Sequence, residues 1–254
     1  MNAYVPPHVT LGSGTRQVIA LHGWLGDHRA YEPIRPHLDG SAFSYAFMDY
    51  RGYGDAKDQP GDFTMDEIAA DTLALADHLG WDSFSLIGHS MGGMAIQRVL
   101  AKVPERVRAL VGINPVPASG VPFDEPGWEL FSGAAEKAGN RRAILDMTTG
   151  NRLTGIWLDS MVAHSLEHST PEAVDAYLQA WAKSDFHKEI QGSQLPVKVI
   201  VGEHDPALNA EVMRQTWLQS YPDVELEELA NAGHYPMNET PVALATTVER
   251  FLDR

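Results

Sequence analysis

The chain contains no cysteine among its 254 residues. That absence excludes structural disulfides, thiolate-zinc centres and a cysteine nucleophile together. Positive charge is also scarce, with 19 Lys and Arg against 34 Asp and Glu and a formal net charge of -15. Nucleic acid is therefore not an expected partner, because polyphosphate binding is driven by Lys and Arg displacing counterions. No run approaches the roughly 18 consecutive apolar residues of a membrane-spanning helix, and the opening MNAYVPPHVTLGSG has no basic stretch leading into an apolar one. The expectation is a soluble, cytoplasmic protein without membrane insertion; oligomeric state is not legible. Hydrophobic residues still make up 44 %, enough for an ordinary core and too many for a disordered chain.

Short apolar, β-branched runs alternate with amphipathic stretches, the rhythm of a mostly parallel sheet with helices on both faces. Strands are expected at Arg16 to Leu21, Ser44 to Met48, Ser83 to Ile87, Val107 to Ile113, Val197 to Val201 and Val224 to Leu229. A helix is expected over Thr64 to Leu79, opened by a capping box of Thr64 and Glu67, and a last helix starts at Thr240 with Pro241 in its first turn. The rhythm breaks between about Val116 and Pro196, where the only regular patterns are helical, at Arg152 to Ser165 and Pro171 to Lys183. So long a stretch is no loop. It divides the chain into a core of residues 1–116 and 196–254 and an inserted helical lid of residues 117–195.

The run Ser83 to Ile87 leads directly into Gly88-His89-Ser90-Met91-Gly92-Gly93, and Met91 to Lys102 is helical in composition. Strand, G-x-S-x-G and helix describe a nucleophile elbow, in which a serine sits on a sharp turn and glycines on either side let backbones approach. From the glycine and serine content, chance supplies about 0.1 such matches in this chain, and none with the strand and helix in place. A serine hydroxyl needs a base, and the base needs a group to hold its tautomer. Asp205 lies just beyond Val197 to Val201, and His234 just beyond the last strand. Those are the strand ends where open α/β sheets place their sites. Glu203 is the rival acid, but it is nearer the strand and is read as structural, while His89 and His204 are read as pocket-wall or packing residues. Oxyanion donors are expected from the backbone N–H of Met91, at the start of the helix after the elbow, and of Trp24, in the turn after Leu21. The Trp24 indole would then be free to line the pocket.

The segments LHGWLGD, MDYRGYGDA, LIGHSMGGMA, VGEHDPAL and NAGHYPMNETP, between Leu21 and Pro241, resemble those of the α/β-hydrolase superfamily, in its group with a helical cap. The resemblance implies an α/β-hydrolase fold, a triad of Ser90, Asp205 and His234, an oxyanion hole of the Trp24 and Met91 amides, and no cofactor or metal. One departure is that only about 15 residues precede the first clear strand, where relatives often carry a full hairpin, so the opening strands are expected to be shortened. Epoxide hydrolases and haloalkane dehalogenases of this fold place an aspartate where Ser90 stands. Carbon-carbon bond hydrolases typically carry asparagine at the place of His89, and proline iminopeptidases tryptophan at the place of Met91. Cofactor-free dioxygenases share the look of Gly23-Trp24 followed by Asp27-His28-Arg29 and Tyr31, but pair their histidine with an acid where this chain has Asn114-Pro115.

The expected activity is that of a carboxylesterase-like serine hydrolase acting on a small or medium ester. The substrate would be held by Trp24, His89 and the lid tryptophans Trp128, Trp157 and Trp181; the alternatives are a lactone, thioester or carbon-carbon bond hydrolase of the same fold, or a cofactor-free dioxygenase. Two other classes compete with this reading. A triad-bearing receptor has no specific support. His164-Ser165-Leu166-Glu167-His168 matches the H-x-x-E-H zinc-peptidase pattern, but a histidine pair near a helix end is more simply a solvated terminus.

Overall fold

A computed structural model describes residues 4–254. Seven strands form one sheet: β1 (His8–Leu11), β2 (Arg16–Leu21), β3 (Phe43–Met48), β4 (Phe84–His89), β5 (Val107–Ile113), β6 (Val197–Gly202) and β7 (Val224–Leu229). Their order is β1-β3-β2-β4-β5-β6-β7, with β1 antiparallel to β3 and every other pair parallel. The mostly parallel sheet is the one the sequence rhythm led one to expect, and the fold is that of an α/β hydrolase, as the resemblance implied. β2, β4, β5 and β6 end in runs of buried residues because helices cover both faces.

The helices are α1 (Met65–His78), α2 (Met91–Lys102), α3 (Glu125–Ser132), α4 (Ala138–Thr148), α5 (Gly155–Glu167), α6 (Pro171–Lys183), α7 (His187–Ile190), α8 (Ala210–Gln215), α9 (Trp217–Ser220), α10 (Pro236–Glu239) and α11 (Pro241–Leu252). Thr64 caps α1 by accepting the Glu67 N–H at 3.1 Å, but the Glu67 carboxylate reaches past Thr64 to the N–H groups of Asp62 and Phe63. The capping box is thus half formed, and its second half closes the loop before the helix. Helix α5 starts three residues later than its periodicity suggests. Gly150 and Asn151, at φ 72° and 55°, turn the chain out of α4, and Thr154 then caps α5 at the Trp157 N–H.

A single four-residue strand precedes β2 among the described residues, and it covers the outer edge of β3. Between β5 and β6 those residues hold helices α3 to α7 and no strand. The chain leaves β2 toward β3 on one side and returns as β4 on the other. A sheet that switches direction this way leaves a crevice between the loops at the carboxyl ends of β2 and β4. Register places Leu21 beside Gly88, Gly88 beside Gly112, and Ile113 beside Ile200, so the loops carrying Trp24, Ser90, Asn114 and Asp205 leave the sheet along one rim.

Candidate active site

Ser90 follows β4 directly and adopts φ 53°, ψ -117°, a conformation that costs a residue with a side chain about 1–3 kcal/mol. The surroundings hold it there. Its N–H donates to Ile113 O at 3.0 Å, and its own carbonyl accepts from the Gly93 and Val116 N–H groups at 2.8 and 2.9 Å. The turn is so tight that a Cβ on Gly88 would lie 2.3 Å from Gly92 O, and one on Gly92 would lie 2.3 Å from Leu21 O. Both flanking glycines are required sterically, and the elbow is pressed against the end of β2 as a result. Met91 begins α2, where its N–H has no carbonyl one turn back and is available to an anion.

His234 Nδ1 donates to Asp205 Oδ2 at 2.6 Å, and both side chains are buried. Asp205 accepts three further hydrogen bonds: Asn114 Nδ2 on the same oxygen at 2.8 Å, and the N–H groups of Ala207 and Leu208 on the other at 2.9 and 3.1 Å. Burial alone would raise the Asp205 carboxyl. The facing imidazole charge and the two amide donors outweigh it and hold the group below the usual carboxylate range. The His234 N–H donates to Thr148 O at 3.1 Å, so the histidine loop is tied to the end of α4. Glu203 is half exposed and accepts the Asn231 N–H at 2.9 Å, closing the turn that leads to His234.

His89 is fully buried, and its Nε2 donates to the His234 carbonyl at 2.8 Å. Burial, with the His234 charge beside it, pushes its imidazole down to about 3, so it is a neutral packing group across the working pH range.

A cavity of about 360 Å3 opens on Ser90 and His234, and its floor includes Gly23, Trp24 and His89. The insertion supplies about half of its lining, including Val121, Phe123, Leu130, Phe131, Met147, Met161 and Trp181. The lining contains no Lys, Arg, Asp or Glu. The Trp24 ring stacks on Phe131 at 5.8 Å between centroids and meets the edge of Trp181 at 5.6 Å. Its indole N–H is not free, because it donates to Val174 O of α6 at 2.7 Å and locks the ring in place. Of the three insertion tryptophans named from sequence, Trp181 lines the cavity and the other two stand behind the wall. Trp128 lies under the Lys183 ammonium and beside Phe123, and Trp157 packs edge-on against Tyr235. His204, part-exposed, sits against Gly150 and is not in the lining. Phe123, Leu130 and Met147 were not singled out from sequence, since nothing local tells which face of an insertion helix meets the crevice.

A family model described as alpha/beta hydrolase fold matches residues 17–144. A 3-oxoadipate enol-lactonase from Acinetobacter baylyi is 26% identical over 252 residues, covering 97% of this chain and 92% of the relative. A 2-heptyl-3-hydroxy-4(1H)-quinolone dioxygenase from Mycobacteroides abscessus is 37% identical over 94 residues, covering 37% of this chain and 35% of that one. Among solved structures, a bromoperoxidase from Bacillus anthracis superposes with a TM-score of 0.85 at 19% identity, covering 97% of this chain and 95% of the other.

Proposed function

The chain belongs to the alpha/beta hydrolase fold family, an enzyme family, and on that premise we propose that it is a serine hydrolase cleaving a carboxylic ester of small or medium size. The observation that carries this reading is the hydrogen-bonded pair of His234 and Asp205 at 2.6 Å, opening with the strained Ser90 onto one cavity. Ser90 Oγ attacks the ester carbonyl while His234 Nε2 takes its proton. The buried Asp205 carboxylate fixes the tautomer and stabilises the imidazolium. The N–H groups of Trp24 and Met91 receive the oxyanion, with Met91 at the positive end of α2. His234 then protonates the departing alcohol, and water releases the acyl group by the same steps in reverse. The insertion between β5 and β6 acts as a cap: its apolar walls exclude water and hold the acyl or alcohol chain. No step requires a cofactor.

The test is hydrolysis of a panel of neutral esters varied in acyl and alcohol length, with turnover lost in Ser90→Ala. One specific observation favours a second reading, the 37% identity of a 94-residue segment to a dioxygenase. Under that reading His234 and Asp205 would deprotonate a bound substrate for reaction with dioxygen. Asn114 speaks against it, because the residue just after β5 donates to Asp205 instead of offering a second carboxylate. Ester turnover undiminished without oxygen supports hydrolysis. Oxygen uptake with a 3-hydroxy-4-quinolone and no ester turnover supports the alternative.

A further inference from the structure

The His164 and His168 pair converges on an acid other than the one in its own motif. Glu167 is exposed, and its backbone carbonyl accepts from Lys57 Nζ at 2.5 Å. Asp27 stands there instead, 137 residues away in the chain, with its Oδ2 at 3.1 Å from His164 Nε2. The ligand atoms of Asp27, His164 and His168 all lie within 4.8 Å of one another. We propose that these three residues form a binding site for a borderline divalent transition metal such as zinc, joining the helical insertion to the loop that follows β2.

The donor set has the chemistry for it. His168 Nδ1 lies 3.0 Å from the His164 carbonyl, and facing an acceptor it must carry the proton. That leaves a lone pair on His168 Nε2, the arrangement in which a backbone carbonyl orients a ligating imidazole. Tetrahedral zinc with bonds of about 2.0–2.1 Å sets its ligand atoms roughly 3.3 Å apart, close to the separation of His164 Nε2 and Asp27 Oδ2. The two imidazoles stack with centroids 4.3 Å apart and planes at 18°, so a modest rotation brings both lone pairs onto one ion. Two imidazoles and one carboxylate suit zinc, cobalt or nickel and disfavour calcium and magnesium, which take oxygen ligands. Three protein ligands leave a fourth position for water.

The site is held ready by the backbone. The Gly54 N–H donates to the His168 carbonyl at 2.8 Å, and the Thr170 N–H to Gly52 O at 3.0 Å, so the end of α5 is pinned to the loop after β3. Asp27 is fully buried and caps the turn after it by accepting the Arg29 N–H at 2.8 Å. Arg29 is the competing cation, with Nη1 at 2.9 Å from Asp27 Oδ2, but Asp55 takes its other nitrogen at 2.8 Å and offsets its charge. The two histidines are only half buried and can be reached from solvent. Asp27 follows Trp24 by three residues, so a metal here would brace the insertion against the loop that carries a proposed oxyanion donor.

The experiment titrates zinc chloride into the metal-free full-length protein and follows binding by calorimetry and melting temperature. Cobalt(II) serves as a second probe, read by the visible absorption of a tetrahedral site. One saturable equivalent, a higher melting temperature and a tetrahedral cobalt spectrum are expected. His164→Ala and His168→Ala should each weaken zinc binding at least tenfold, while His187→Ala, at the exposed pair with Asp185, should leave it unchanged. His168→Gln, close in size, shows whether loss follows from the missing ligand: its melting temperature without metal should match the parent. No saturable binding at micromolar zinc, or equal affinity in the parent and both alanine variants, would overturn the proposal.

Discussion

Replacing Asp205 by asparagine exchanges one oxygen of a buried carboxylate that accepts four hydrogen bonds for an NH2 group. The surroundings decide which oxygen is exchanged. With NH2 turned toward Ala207 and Leu208, two backbone donors face a third donor and none can move away, at about 1–3 kcal/mol for each buried donor left unpaired. With NH2 turned toward Asn114 and His234, both neighbours can adapt. Asn114 Oδ1 has no partner and can flip to accept, and His234 can accept at Nδ1 by moving its proton to Nε2. The second arrangement is the cheaper, so the variant should stay folded with a stability loss near 1 kcal/mol. Its His234 is then the wrong tautomer to take the Ser90 proton. A loss of about ten-thousand-fold in kcat is expected, equivalent to about 5.4 kcal/mol of barrier. The assay is single-turnover acylation by a chromogenic ester, with thermal melting beside it and Glu203→Gln as the control that should cost less than tenfold. There is also a pH signature. The Asp205 carboxyl is held below its ordinary 3.8, so its contribution to stability is present above that value and lost as pH falls through the lowered one. The stability gap between parent and variant should therefore close on acidification. An Asp205→Asn enzyme within tenfold of the parent, or a Glu203→Gln enzyme equally crippled, would refute the assignment.

The cavity supports two further expectations. With no cation in its lining, burying a substrate carboxylate there has no compensating partner, so a monoester of a dicarboxylic acid should show kcat/KM at least 100-fold below the neutral ester of matched length. Comparable rates would mean that the acyl chain lies outside this cavity. Trp181→Ala should shift the preferred acyl or alcohol chain toward longer members, at about 0.8 kcal/mol or roughly fourfold per methylene, whereas Trp128→Ala and Trp157→Ala should leave the profile's shape unchanged. A chain-length panel on the three variants checks this, and an unmoved profile in Trp181→Ala would remove the insertion from specificity.

What could be read from sequence was local. The elbow is a run of six residues between a strand and a helix, and the steric need for Gly88 and Gly92 is carried by their identity. Asp205 could be preferred over Glu203 because distance from the strand end decides which carboxylate clears the rim; in the structure Glu203 accepts the Asn231 N–H and Asp205 faces His234. What escaped depends on long-range closure. Asn114 steadies Asp205 from 91 residues away, and an asparagine at a strand end carries no mark of that task. His164 and His168 were visible as a helical pair, but Asp27, which meets His164, lies 137 residues away in the chain, in the loop after β2. In the insertion, periodicity shows that Trp128, Trp157 and Trp181 lie on helices without telling whether a face meets the crevice or another helix. β1 went unpredicted as a strand because its four residues pair along one edge alone.

Covalent labelling decides whether Ser90 is the nucleophile. The purified protein is treated with a fluorophosphonate, its intact mass is recorded, and the modified peptide is sequenced. One adduct is expected, on Ser90, with loss of ester hydrolysis in proportion to labelling and no adduct on a folded Ser90→Ala variant. An active preparation that takes up no adduct, or one labelled at another residue, would contradict that expectation.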